Sequence, residues 1–210
     1  MSVTLYTNPM SRGRIARWML EEVGTPYETV VLDYASGMKG EPFLAINPMG
    51  KVPAIVHDGH VVAECAAICA YLADVFPEAG LAPPLADRAD YYRWLFFAAG
   101  PVEQAVTNRS LGVTTNEPQQ QRMAGYGTFD LTIETFAKAI TVNPYFGGDR
   151  FSAVDVYAGS QVIWGLQFGS IPANAVFEDY AARVKDRPAY RRASEIDDAL
   201  IAAPVAEAVE

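Results

Sequence analysis

Glu64 and Cys65 stand immediately before the apolar run AAICAYLA (Ala66–Ala73), where an amphipathic helix is expected to begin. A helix start leaves backbone N–H groups unpaired and carries partial positive charge, so it is suited to receive a ligand carboxylate. The surrounding stretch, NPMGKVPAIVHDGHVVAECAAICAYLA from Asn47 to Ala73, is therefore read as a place that holds a small anionic molecule. The chain's two cysteines, Cys65 and Cys69, lie four residues apart within that one helix. This is neither a disulfide framework nor a metal set, and both thiols are expected to be reduced. His57, Asp58 and His60 are close in sequence, but no further metal ligand is indicated. The two histidines are read as solvated turn residues and no metal is expected.

The elements that position these residues follow from local chemistry. Pro53 lacks an N–H, which is tolerated at the first residue of a strand but not in its middle, so a strand over Ala54–Val56 begins just after it. Asp58-Gly59 separates that strand from Val61–Ala63 and signals a two-residue hairpin. Upstream, Val3–Thr7 (VTLYT) reads as a strand, and Asn8-Pro9-Met10-Ser11 breaks it. From Arg14 to Val23, Ile15, Trp18, Met19 and Leu20 recur at helical spacing. Gly24 fits a left-handed helix cap. Tyr27–Leu32 has the β-branched richness of a second strand, completing a β-α-β unit with a parallel pair. Asp33–Ile46 is irregular, with one helical turn expected over Glu41–Ile46.

The order β-α-β then β-β-α is the thioredoxin-like arrangement. From Phe76 to Asp87 (FPEAGLAPPLAD) the chain is proline-rich and ends in a candidate helix N-cap, as an interdomain linker would. Beyond it only helical patterns occur, over roughly Arg88–Arg109, Pro118–Ile140, Ala153–Gly169, Ala175–Lys185 and Ala189–Ile196. The expected organisation is an α/β thioredoxin-like domain over 1–77, a linker over 78–86 and an all-α domain over 87–210. In the second domain Tyr91, Trp94, Leu95, Ala98 and Val102 form a stripe read as core. Ser152-x-x-Asp155 is read as a structural capping box. The tail AAPVAEAVE is expected to fray.

With 210 residues, half of them hydrophobic, the chain can bury a sizeable core. Its net charge of −9 argues against nucleic acid or an anionic membrane as a partner, since both need a basic footprint. No apolar run approaches the roughly 18 residues of a membrane span, and the N-terminus lacks the pattern of a signal peptide. A cytoplasmic location is expected.

Taken together, the chain resembles the soluble, cytosolic-type glutathione transferases, in a bacterial-like form. The carriers are LYTNPMSRGRIARWMLEEVGTPYE (Leu5–Glu28), NPMGKVPAI (Asn47–Ile55), Glu64-Cys65 leading into AAICAYLAD, FSAVDV (Phe151–Val156) and RPAYRRA (Arg187–Ala193). Each is weak alone, but their order and spacing are specific. The resemblance implies a cis Val52–Pro53 bond, with the Val52 backbone pairing with the cysteinyl backbone of glutathione like an added strand. It implies that Glu64 meets the ligand's ammonium and that the Cys65 helix start meets its α-carboxylate. Lys39 and Lys51 become candidates for the glycine carboxylate. The family usually has Ser or Thr where this chain has Cys65, and a thiol donates only weakly.

Glutathione reacts as its thiolate, whereas a free thiol with a pKa of about 8.5 is mostly protonated at neutral pH. A hydroxyl at the start of the first helix can stabilise the anion, and Ser11 stands at the position used by the serine-using branches. Tyr6, as in tyrosine-using branches, and Asn8, on the same strand face, are its competitors. No cysteine occurs from Asn8 to Arg14, which favours conjugation over disulfide exchange. Met10, Phe97, Asn108, Trp164 and Phe168 are candidates for holding a small hydrophobic electrophile. The implied function is a detoxifying, homodimeric glutathione transferase that uses glutathione as co-substrate. A glutathione-dependent reductase, peroxidase or isomerase and a non-catalytic binding protein are the alternatives.

Overall fold

The computed structural model describes residues 2–202. They fall into two compact units, one built from residues up to Leu72 together with those from Arg187 onward, the other from Ala73–Asp186.

The first unit is a four-stranded sheet with flanking helices. Strand β1 (Val3–Thr7) alternates, burying Val3, Leu5 and Thr7. Helix α1 (Gly13–Val23) buries Ile15, Trp18, Met19 and Leu20 and ends at Gly24, whose φ of 73° lets its N–H reach the Leu20 carbonyl at 2.9 Å. Strand β2 (Tyr27–Val31) runs parallel to β1 at the sheet edge. A short turn at Gly37–Lys39 and helix α2 (Glu41–Leu44) follow. The Asp33 carboxylate accepts N–H groups from Ser36 and Gly37, which hold its pKa down to about 2. Strands β3 (Ala54–His57) and β4 (His60–Ala63) form the hairpin. Its turn residues Asp58 and Gly59 have φ of 47° and 84°, the left-handed pair that a tight two-residue turn needs. The sheet order is β2-β1-β3-β4, with β3 antiparallel to both neighbours. Helix α3 (Cys65–Val75) buries Ile68, Cys69 and Leu72. Burial pushes the Cys69 thiol well above the ordinary range.

His57 departs from its sequence reading. Strand β3 extends one residue beyond Val56, which puts His57 on the same face as Ile55, and its ring is buried with Nδ1 2.9 Å from the Tyr71 hydroxyl. His60 is exposed as expected. Among the described residues no group of three or more His, Cys, Asp or Glu could hold a metal ion.

The second unit is helical, with two of the expected long helices broken. In place of one helix over Arg88–Arg109 there are α4 (Ala89–Phe97), a widened turn at Ala98–Val102 and α5 (Glu103–Ser110). Pro101 lies in the widened turn, where the Glu103 N–H reaches back five residues to the Ala98 carbonyl. A proline cannot donate into a regular ladder, and the wider turn accommodates it. Asp87 does not cap α4; it closes a 3₁₀ turn, Leu85–Asp87, ahead of it. The pattern over Pro118–Ile140 is split into α6 (Pro118–Met123) and α7 (Phe129–Val142). Gly127, at φ of 68°, turns the chain, and the Thr128 hydroxyl then caps α7 by accepting the Leu131 N–H at 3.2 Å.

Helix α8 (Ala153–Phe168) carries the expected Ser152/Asp155 capping box. Asp155 also accepts the Phe146 N–H at 2.9 Å and the Tyr180 hydroxyl at 2.8 Å. Full burial raises its pKa to about 6 despite these donors. The Tyr91–Val102 stripe is buried throughout. Helix α9 (Ala175–Lys185) is capped by Asn174. Helix α10 (Pro188–Ala202) runs longer than the periodicity indicates and packs in the first unit against α1. The tail AAPVAEAVE, apart from its first alanine, lies outside the described residues.

Candidate active site

Strand register brings the chemistry-bearing segments of the first unit to one end of the sheet. Tyr6 pairs with Ala54, and Ala54 pairs with Ala63. The chain therefore leaves β1 into Asn8–Arg12, enters β3 through Val52-Pro53 and leaves β4 through Glu64-Cys65, all at the same edge. Three segments separated by about 40 and 10 residues in sequence become neighbours through pairing alone.

The Val52–Pro53 bond is cis. Its approach is a built turn: Asn47 Nδ2 donates to the Lys51 carbonyl at 2.7 Å, Asn47 Oδ1 accepts the Met49 N–H at 3.1 Å, and Lys39 Nζ donates to the Gly50 carbonyl at 2.7 Å. Gly50 has φ of 58°, and a Cβ there would stand 2.8 Å from the Met38 carbonyl oxygen, so glycine is required. Lys39 and Lys51 are both exposed beside this turn. Val52 packs with Tyr6 against Met38, Phe43 and Ala54.

The loop from Asn8 to Arg12 is closed on itself. Asn8 Oδ1 accepts the Met10 N–H at 2.9 Å while Nδ2 donates to the Leu32 carbonyl at 2.8 Å. Ser11 is half-buried; its hydroxyl donates to the Asn8 carbonyl at 2.7 Å and accepts the Gly13 N–H at 2.9 Å. From one residue before the N-cap, Arg12, it thus satisfies the first N–H of α1, at the end of the helix where the dipole is positive. Asn8 has one amide hydrogen in use. The Tyr6 ring lies 5.7 Å from that of Phe43, within the small core on that sheet face. Tyr34, which the sequence does not single out, donates its hydroxyl to the Met10 carbonyl at 3.1 Å. No local signal marks it, because it lies 24 residues from Met10.

Glu64 has φ of 68°, a left-handed conformation that is costly for a residue with a side chain, and it is exposed. This fold in the backbone lets α3 start directly at Cys65. The Cys65 thiol is buried and donates to the Arg12 carbonyl at 3.5 Å, linking the starts of α3 and α1.

The remaining candidates each lie within one of the two units. Met10 is 75% exposed on its loop. In the second unit Phe97 packs on Trp94 and Phe136 at 5.4 and 6.3 Å between ring centres, Asn108 Nδ2 donates to the Tyr126 hydroxyl at 3.1 Å, Trp164 is half-buried and Phe168 is exposed.

Residues 1–74 match the model of the glutathione S-transferase N-terminal domain. The chain is 30% identical over 171 residues to glutathione S-transferase hmp2 of Hypomyces subiculosus, covering 75% of this chain and 79% of that one. It is similar to the crystal structure of a Methylococcus capsulatus glutathione transferase, with a TM-score of 0.76 and 27% identity over 94% of this chain and 99% of that one. It is also similar to a sphingomonad glutathione S-transferase complexed with glutathione, with a TM-score of 0.75 and 28% identity over 93% and 98% of the two chains. By domain, by length and by arrangement of its segments, this chain belongs to the glutathione S-transferase family.

Proposed function

We propose that the chain binds glutathione at this edge of the sheet, stabilises its thiolate with the Ser11 hydroxyl and conjugates it to a small hydrophobic electrophile. The observation that carries the reading is the strand register, which gathers the Ser11 loop, the Val52-Pro53 approach and the Glu64-Cys65 helix start. The Val52 backbone pairs with the cysteinyl segment, Glu64 meets the ammonium and the α3 start takes the α-carboxylate, with Lys39 and Lys51 toward the glycine end. Ser11 is preferred to Asn8 and Tyr6 because its oxygen already lies at the N-terminus of α1, where the helix dipole also favours a sulfur anion. Burial of the Cys65 thiol on the Arg12 carbonyl favours conjugation over thiol-based reduction.

In this reading residues 1–77 bind glutathione, and Met10 in that part and Phe97, Asn108, Trp164 and Phe168 in 87–210 are the candidates for contacting the electrophile. The chain then works as a cytoplasmic homodimer in detoxification. Ser11→Ala is expected to leave the calorimetric glutathione isotherm in place and reduce conjugation of a chloronitrobenzene by about a hundredfold, as for loss of one anion-stabilising donor. Unchanged turnover would remove Ser11 from the role.

A further inference from the structure

Each carbonyl of the Asn8–Arg12 loop is engaged. Asn8 O takes the Ser11 hydroxyl, Met10 O takes Tyr34, Ser11 O takes the Arg14 N–H at 3.3 Å and Arg12 O takes the Ile15 N–H at 3.0 Å. Pro9 differs from these in having no N–H, so its carbonyl is its sole backbone hydrogen-bonding group, and its partner is a charged side chain: Arg14 Nη1 at 3.2 Å. The same guanidinium places Nη2 2.6 Å from Asp198 Oδ1, on α10. A guanidinium is planar, so fixing one nitrogen aims the other.

We infer that Arg14 and Asp198 are positioning residues for the thiolate-stabilising loop, with the C-terminal helix holding Pro9, and through it Asn8 and Ser11, at the correct distance from bound sulfur. The inference rests on the proposed function for its chemistry. Asp198 is not needed to dock α10. The bidentate Arg187–Glu22 pair, the buried Arg17–Asp197 pair and Arg192–Glu21 hold that helix on α1 independently. The Asp198 side chain is 67% exposed, so its removal acts on loop position with little effect on stability.

The test uses the full chain with Asp198→Ala, Asp198→Glu and Arg14→Ala, following chloronitrobenzene conjugation, glutathione KM, the thiol pKa from the pH profile of kcat/KM, and melting temperature. Asp198→Ala is expected to lower kcat about tenfold, as modest misplacement of a reacting group does, to raise the thiol pKa, and to leave KM within about twofold and melting nearly unchanged. Asp198→Glu recovers part of the loss. In the Arg14→Ala background Asp198→Ala adds nothing. Wild-type kcat and thiol pKa in Asp198→Ala would overturn the inference, as would a loss that adds fully to that of Arg14→Ala. Should Arg14→Ala not fold, the Asp198 pair of variants decides alone. Ser11→Ala separates the two readings. If it is silent while Asp198→Ala shifts the thiol pKa, the loop is positioned but another of its groups contacts sulfur. If it collapses turnover while Asp198→Ala is silent, this inference alone fails.

Discussion

At Glu64 backbone and side chain pull in opposite directions. Its left-handed φ costs about 1–3 kcal/mol that glycine would not incur, while its carboxylate is the group proposed to meet the ammonium of glutathione. Glu64→Gly is therefore expected to stabilise the fold by about 1 kcal/mol in urea unfolding and to weaken glutathione binding about tenfold in calorimetry. Glu64→Gln should weaken binding without the gain in stability. Wild-type affinity in both variants would show the carboxylate to be idle. Glu64, Cys65, Pro53 and Ser11 were legible as special positions because helix starts and strand starts are written in adjacent residues. The partner of the Cys65 thiol was not, since Arg12 lies 53 residues away. The burial of His57 is not legible, because the apolar run stops at Val56 while the strand continues one residue further and sets His57 on the buried face of Ile55.

Among the elements, helices with a strong apolar period were legible and their interruptions were not. Pro101 and the Gly125–Thr128 segment carry breaker residues, but the apolar repeat continues on both sides and period alone bridges them. A contact next to the candidate loop is of another kind, the close approach of α1 to β1. A Cβ on Gly13 would stand 1.8 Å from Thr7 Oγ1, so the first residue of α1 must be glycine for the helix to start against the end of the strand. Gly13→Ala is expected to destabilise by about 1–3 kcal/mol through overpacking and to lower turnover by displacing Ser11. Adding Thr7→Ala, which removes the nearest atom, should restore part of both losses. Additive losses in the double variant, measured by urea unfolding and conjugation rate, would contradict steric coupling between the two positions.

At the scale of the whole molecule, the docking of α10 on α1 is the feature least legible in the sequence, because Arg17 and Asp197 meet across 180 residues. Their pair at 2.9 Å is buried on both sides. Arg17 also donates to the Tyr27 hydroxyl at 3.1 Å and Thr29 Oγ1 at 3.3 Å, yet among the described residues its Nη2 and Asp197 Oδ2 have no hydrogen-bond partner. A buried pair left partly unsatisfied contributes little net stability, but removing one partner leaves the other charge without compensation. Burial already raises the Asp197 pKa against the opposing pull of Arg17. Without that pull the pKa rises further. A carboxyl that binds its proton more tightly in the folded chain than in the unfolded one destabilises the fold fully above its folded pKa, and the penalty is relieved as pH falls through that value toward the unfolded carboxylate's, about 3.9. Arg17→Met should therefore cost about 3–5 kcal/mol at pH 8 and distinctly less at pH 5, as measured by urea unfolding against wild type at each pH. Arg17→Met combined with Asp197→Leu should recover most of the loss and flatten the pH dependence. An equal cost at both pH values would mean that lost packing, rather than an uncompensated Asp197, governs how the C-terminal helix is held.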